Sequence, residues 1–136
     1  MSMKSHSIIV VDDDVRSLDK VRIILDCTHN VLASADPNRA VAWLRGNQSV
    51  SAIIVAQTLG GGKALDLLGS AQNIRPEVRR ILIASYSDLA IFVEGLHSGA
   101  IQRTISKPID ATELLGLVRI RPMAGQARSA GPLAAV

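Results

Sequence analysis

The chain is 136 residues long, 48% hydrophobic and 20% charged, with a net charge of +3. That length suits one domain able to bury a core without disulfides or metals, and the composition excludes a disordered chain. The longest apolar runs, such as Ile8 to Val11 and Ala52 to Ala56, are too short to span a bilayer. The residues before Ser7 do not lead into a secretory signal, so a soluble, cytoplasmic domain without membrane contact is expected.

Five short segments rich in Val, Ile and Ala alternate with stretches of helical periodicity, the pattern of a parallel sheet covered on both faces. The first strand is Ser7 to Val11, a continuous apolar run suited to the middle of a sheet. After Asp12, Asp13 and Asp14, a helix runs from Val15 to Cys27, with Val15, Leu18, Val21, Ile24 and Leu25 forming an inward stripe. Cys27 reads as a small buried hydrophobe, and a single cysteine makes no internal disulfide.

The second strand is Asn30 to Ser34. Asp36 then caps a helix over Pro37 to Leu44, with proline at its first position and a partly buried Trp43. The third strand, Ala52 to Ala56, leads through Gly60, Gly61 and Gly62 to a helix over Lys63 to Ala71. That glycine turn is no phosphate loop, because Gln57 and Ala64 stand where glycine and Ser or Thr are required.

The fourth strand is Arg80 to Ser85. A helix over Asp88 to His97 follows, with Leu89, Phe92, Val93 and Leu96 inward, His97 complementing the helix dipole and Gly99 ending it. The fifth strand is Ile101 to Ile105. The last helix starts at Asp110, with Glu113 in capping-box position, and stops before Pro122. The domain thus spans residues 1–121, and the Ala, Gly, Ser and Pro of 122–136 read as a disordered tail.

The acidic triplet falls at the carboxyl end of the first strand, where open α/β sheets bind their ligands. Adjacent carboxylates repel one another and call for a cation, either a divalent ion or a lysine from a neighbouring strand end. Lys107, with Pro108 behind it, is such a lysine. The plainer role of Asp14, a helix N-cap, stands beside this one.

The segments Ile8 to Asp14, Arg80 to Ile83 with Tyr86, Ser87, Asp88 and Leu89, and Ser106-Lys107-Pro108 resemble, in that order, the receiver domains of two-component response regulators. The resemblance covers residues 7 to 120. It implies a flavodoxin-like, doubly wound (βα)5 parallel sheet of strand order 2-1-3-4-5, and magnesium held by Asp12 and Asp13. It also implies an aspartate at the end of the third strand that takes a phosphoryl group from a histidine kinase.

The sequence departs from that pattern where the chemistry is concentrated. An ungapped alignment puts Ala56 at the acceptor position, and the nearest carboxylate beyond it, Asp66, lies a turn into the next helix. The family's hydroxyl residue after the fourth strand aligns with Ala84, with Ser85 adjacent. The fifth strand's switching aromatic aligns with Thr104. One missing carboxylate withdraws on the order of 4 kcal/mol of attraction from a cation about 4 Å away. Weak or vestigial magnesium binding is therefore expected, with Lys107 pairing with Asp13 and no cofactor required.

These residues point to a pseudo-receiver: a stand-alone signalling module that is not an enzyme and acts by protein-protein contact without phosphorylation. Its expected partners are a histidine kinase or an output protein. A homodimer through the fourth helix, fifth strand and fifth helix is also expected, on the output face that includes Ile91, Thr104 and Pro108. The alternative is a working phosphorelay receiver with the acceptor displaced to Asp13 or Ser85. A nucleic-acid adaptor using Arg119, Arg121 and Arg128 is the lesser expectation. The basic residues are dispersed, and Trp43, Tyr86 and Phe92 are the only aromatics.

Overall fold

The computed structural model describes residues 6–59, 63–84 and 89–119, apart from the side chains of Leu89, Ile91 and Phe92. Its strands are β1 (Ser7–Val11), β2 (Asn30–Ser34), β3 (Val50–Ala56), β4 (Arg79–Ala84) and β5 (Arg103–Ser106). All neighbouring pairs are parallel, in the order β2-β1-β3-β4-β5. Between them run α1 (Val15–Asp26), α2 (Pro37–Gly46), α3 (Lys63–Ile74), α4 (Leu89–Ser98) and α5 (Ala111–Val118), with a 3-10 turn over Gln57–Leu59 after β3. This is the flavodoxin-like order expected from the sequence.

Alternation along the strands divides the core into two layers. Ile9, Val11, Ile53, Val55 and Leu82 face α2 and α3, where they meet Ala40, Leu44, Leu67, Leu68 and Ala71. Ile8, Val10, Ile54, Ala56, Ile81 and Ile83 face the opposite way, onto Val21 and Leu25 of α1 and Leu114 and Val118 of α5. Central strands sandwiched this way must be apolar throughout, so β1 reads as an unbroken hydrophobic run rather than an alternating one.

Local chemistry sets the helix ends. The carboxylates of Asp14, Asp36 and Asp110 accept from the backbone N–H groups of Arg16, Asn38 and Glu113, at 3.1, 2.9 and 2.8 Å. Each satisfies a donor that has no partner within its own helix. At the end of α4, Gly99 adopts φ +86°, a left-handed conformation that glycine takes without strain.

Several expectations need correction. Val15, placed in the inward stripe of α1, is 67% exposed at the first helical position after the cap Asp14. Cys27 is exposed and forms the C-cap of α1 instead of entering the core. Val93 and Leu96 are 59% and 45% exposed. Among the described side chains of α4, Gly95 is buried, against Ile101 and Leu65, and the inward placement of Leu89 and Phe92 lies outside the described residues. β3 begins at Val50, two residues before the expected start, and β5 begins at Arg103, two residues after it.

Arg80, the second residue of β4, is buried and ties down the bend between α4 and β5. It donates from Nε to the carbonyl of Ala100, from Nη1 to those of Pro76 and Val78, and from Nη2 to that of Gly99. Burial pulls its pKa below the ordinary arginine value. The four carbonyls offset the loss of water around the guanidinium. Residues 60–62, 85–88 and 120–136 lie outside the described set, and with them the glycine turn, Ser85, Tyr86, Arg121, Arg128 and the tail.

Candidate functional site

The carboxyl edge of the sheet gathers the residues that the sequence singled out. Val11 of β1 is in register with Ser34 of β2 and Val55 of β3, so Asp12 emerges beside the end of β3. Ala56, the last residue of β3, is fully buried and pairs with Ile83. Ala84 of β4 pairs with Ser106 of β5, and Lys107 follows Ser106 directly. One short edge therefore carries Asp12, Ala56, Ala84 and Lys107.

Asp12 is the only carboxylate among the described residues to be buried there, with its backbone N–H held by the carbonyl of Ser34 at 3.2 Å. Its Oδ1 accepts from the N–H of Asp14 at 2.9 Å, whereas its buried Oδ2 has no hydrogen-bond partner. Burial pushes its pKa up. The hydrogen bond from Asp14 and the charge of Lys107 oppose that shift, and the neighbouring Asp14 and Asp13 charges add to it.

Lys107 Nζ stands 3.9 Å from Asp12 Oδ2 and 3.6 Å from Asp14 Oδ2, with its side chain 35% exposed. The expected pairing with Asp13 is not formed, because Asp13 is exposed and the ammonium bridges the residues on either side of it. The reason is local. Capping fixes the Asp14 carboxylate, which accepts from Arg16 N at 3.1 Å and from the Ser17 hydroxyl at 3.3 Å. Slight burial works to raise its pKa, but the bonds from Arg16 and Ser17, with Lys107 nearby, hold it below the usual carboxylate value.

The donor set does not fit magnesium. A hard divalent ion needs several converging oxygens, and here Asp12 Oδ2 alone is both buried and unpartnered. Asp14 is engaged as a cap, Asp13 is exposed, Ala56 supplies no oxygen, and an ammonium already sits beside the two carboxylates. Among the described residues, no three His, Cys, Asp or Glu side chains are grouped to hold a metal.

The remaining site residues are dispersed. Thr104 is half-buried on β5, Pro108 is exposed after a cis Lys107-Pro108 peptide, and Asp66 is exposed in the first turn of α3. His97 lies exposed in the last turn of α4. The side chain of Ile91 and the whole of Ser85 lie outside the described residues. The role of Arg80 was not anticipated; the signal available was a charged residue inside a segment that otherwise reads as a buried strand.

Comparison with known proteins shows the family of the chain as a whole. The sequence model for the response regulator receiver domain matches residues 8–119, and the chain belongs to that family. It is 36% identical over 119 residues to the hydrogenase transcriptional regulatory protein HoxA of Cupriavidus necator, covering 88% of this chain and 24% of that protein. The HoxA of Bradyrhizobium diazoefficiens is 29% identical over 113 residues, so the chain spans about a quarter of the length of both regulators. Among solved structures, a CheY-like receiver domain protein from Methanospirillum hungatei superposes with a TM-score of 0.72 at 27% identity, over 82% of this chain and 88% of that one. A signal receiver domain from Pseudomonas fluorescens gives 0.73 at 26% identity, over 82% and 90%.

A receiver domain is a signalling module of two-component systems, and that is the class of this chain. No helix among its described residues is long and apolar enough to cross a membrane.

Proposed function

We propose that this chain is a receiver that signals by protein-protein contact and is not phosphorylated at the end of β3. The observation that carries the reading is Ala56. It is the final residue of β3, it lies alongside the strand that delivers Asp12, and it presents a buried methyl group. A methyl group offers no lone pair to phosphorus. The fold is kept while the nucleophile is absent, which favours a module read through its surface.

The surface best suited to a partner is the one formed by α4, β5 and α5. Val93 and Leu96 expose apolar area on α4, and Thr104 is half-buried on the adjoining strand. A histidine kinase, an output protein or a second copy of the chain would bury that area, and no catalytic turnover is required of the pocket. Incubation with acetyl phosphate and magnesium, followed by intact-mass analysis, tests the reading. An unchanged mass supports it. A stable phosphoryl adduct that disappears on Asp13→Asn or Ser85→Ala supports a displaced acceptor and overturns it.

A further inference from the structure

The connection from α3 into β4 carries three arginines, Arg75, Arg79 and Arg80, and each donates to backbone carbonyls at the carboxyl end of a different helix. Arg75 Nη1 reaches Leu44 and Asn47 at the end of α2, both at 3.1 Å. Arg79 Nη1 reaches Leu117 in the last turn of α5 at 2.6 Å and the C-cap Arg119 at 3.2 Å. Arg80 reaches Gly99 and Ala100 just beyond α4, at 3.1 and 3.2 Å. The last carbonyls of a helix have no partner inside it and carry partial negative charge, so a guanidinium is the donor that suits them.

Two of these arginines are neighbours on one strand. Successive side chains of a strand leave opposite faces of the sheet, so Arg79 turns towards α5 and Arg80 towards the end of α4. Their backbone is held in place: Arg79 and Arg80 are in register with Ala52 and Ile53 of β3. Arg80 also exchanges bonds with Gln102, donating its N–H to Oε1 at 2.8 Å and accepting from the Gln102 N–H at 3.0 Å. Displacement of one helix end is therefore carried to the other through two guanidinium groups and the peptide unit between them.

We propose that Arg79 and Arg80 form a clamp across the sheet that makes the last turn of α5 and the bend between α4 and β5 open together, as one local unfolding unit. The inference deepens the reading of α4, β5 and α5 as the contact surface, and rests on it for its consequence: a partner that orders one end of that surface also orders the other. Arg75 stands apart, because its carbonyls belong to α2 and the approach to β3, and it serves as the uncoupled arginine of the same segment.

The test is native-state hydrogen exchange of the full chain by nuclear magnetic resonance, with no partner present. Wild type, Arg79→Met, Arg79→Lys and Arg75→Met are compared. The amide of Val118 reports on α5, those of Ile101 and Gln102 on the bend, and those of Ile9 and Ile53 on global unfolding. In Arg79→Met, exchange at Val118, Ile101 and Gln102 is expected to rise by about tenfold, beyond any rise at Ile9 and Ile53. Arg79→Lys should give a smaller rise at the same amides, since an ammonium keeps the charge but loses the planar fork. Arg75→Met should leave the three amides unchanged against that reference. A rise at Val118 alone overturns the proposal, as does a rise of equal size at every amide, or none. So does an equal rise in Arg75→Met. Should Arg79→Met fail to fold, Arg79→Lys decides by the same criteria. Because no partner is present, failure of the coupling leaves the contact-surface reading standing, and a phosphoryl adduct on the chain leaves the coupling standing.

Discussion

Asp12 and Lys107 approach within 3.9 Å at the carboxyl edge of the sheet, close enough for charge attraction and too far for a hydrogen bond. Asp12 is fully buried and Lys107 is about one-third exposed, so the two partners are unequally dependent on the contact. Removing Lys107 strands a buried carboxylate, whereas removing the charge of Asp12 leaves an ammonium that can turn to water. Lys107→Met is expected to destabilise the domain by about 1–3 kcal/mol. Asp12→Asn in the same chain should recover most of that loss. Urea denaturation of both single variants and the double variant measures this coupling.

Gly95 is set by contact. A methyl group added there would run into Cδ1 of Ile101, 2.7 Å from Cγ1 of the same residue and 3.0 Å from Cδ1 of Leu65. Ile101 is buried and cannot swing away freely. Gly95→Ala gains about 1 kcal/mol of helix propensity and loses about 1–3 kcal/mol to overpacking. A net loss is expected, opposite in sign to the usual result of this substitution in a helix. A lowered denaturation midpoint with an unchanged slope confirms it.

Arg80 is expected to tolerate no substitution cheaply. Arg80→Met leaves the carbonyls of Ala100, Gly99, Pro76 and Val78 without their shared donor, at a cost of about 2 kcal/mol or more. Arg80→Lys should not restore the loss, because one ammonium cannot reach four acceptors spread around a planar fork. Thermal melts of the two variants check this.

His29 supplies a pH dependence. Burial, and then the neighbouring His6, lower its pKa. The folded state therefore resists protonation that the unfolded chain accepts below about pH 6.5. Stability should fall as pH drops from that point towards the depressed folded value and then level off with respect to this group. His29→Gln should flatten that part of the curve in denaturation runs across pH 5 to 7.

Much of the architecture was legible because each layer is written locally. The apolar runs of β1 and β3, the caps at Asp14, Asp36 and Asp110, and the stop at Gly99 all appear where the residues placed them. The error on α4 has one cause: periodicity gives the spacing of a helix face but not its rotation. There a hydrophobic stripe argued for Val93 and Leu96, which are exposed, whereas Gly95 approaches Ile101 and Leu65 closely.

The same holds for the site. The residues that meet at the edge were visible, because strand ends follow from strand identity. Which carboxylate would take Lys107 was not visible. It depends on the capping bond that orients Asp14, a three-dimensional detail that leaves Asp13 pointing into solvent.

The claim that the end of β3 is chemically silent is tested most directly by radiolabelled acetyl phosphate in magnesium buffer, comparing wild type with Ala56→Asp. No label on wild type and one hydroxylamine-labile acyl phosphate on Ala56→Asp is the predicted result. Label on wild type, or an Ala56→Asp variant that is folded and takes none, contradicts the account.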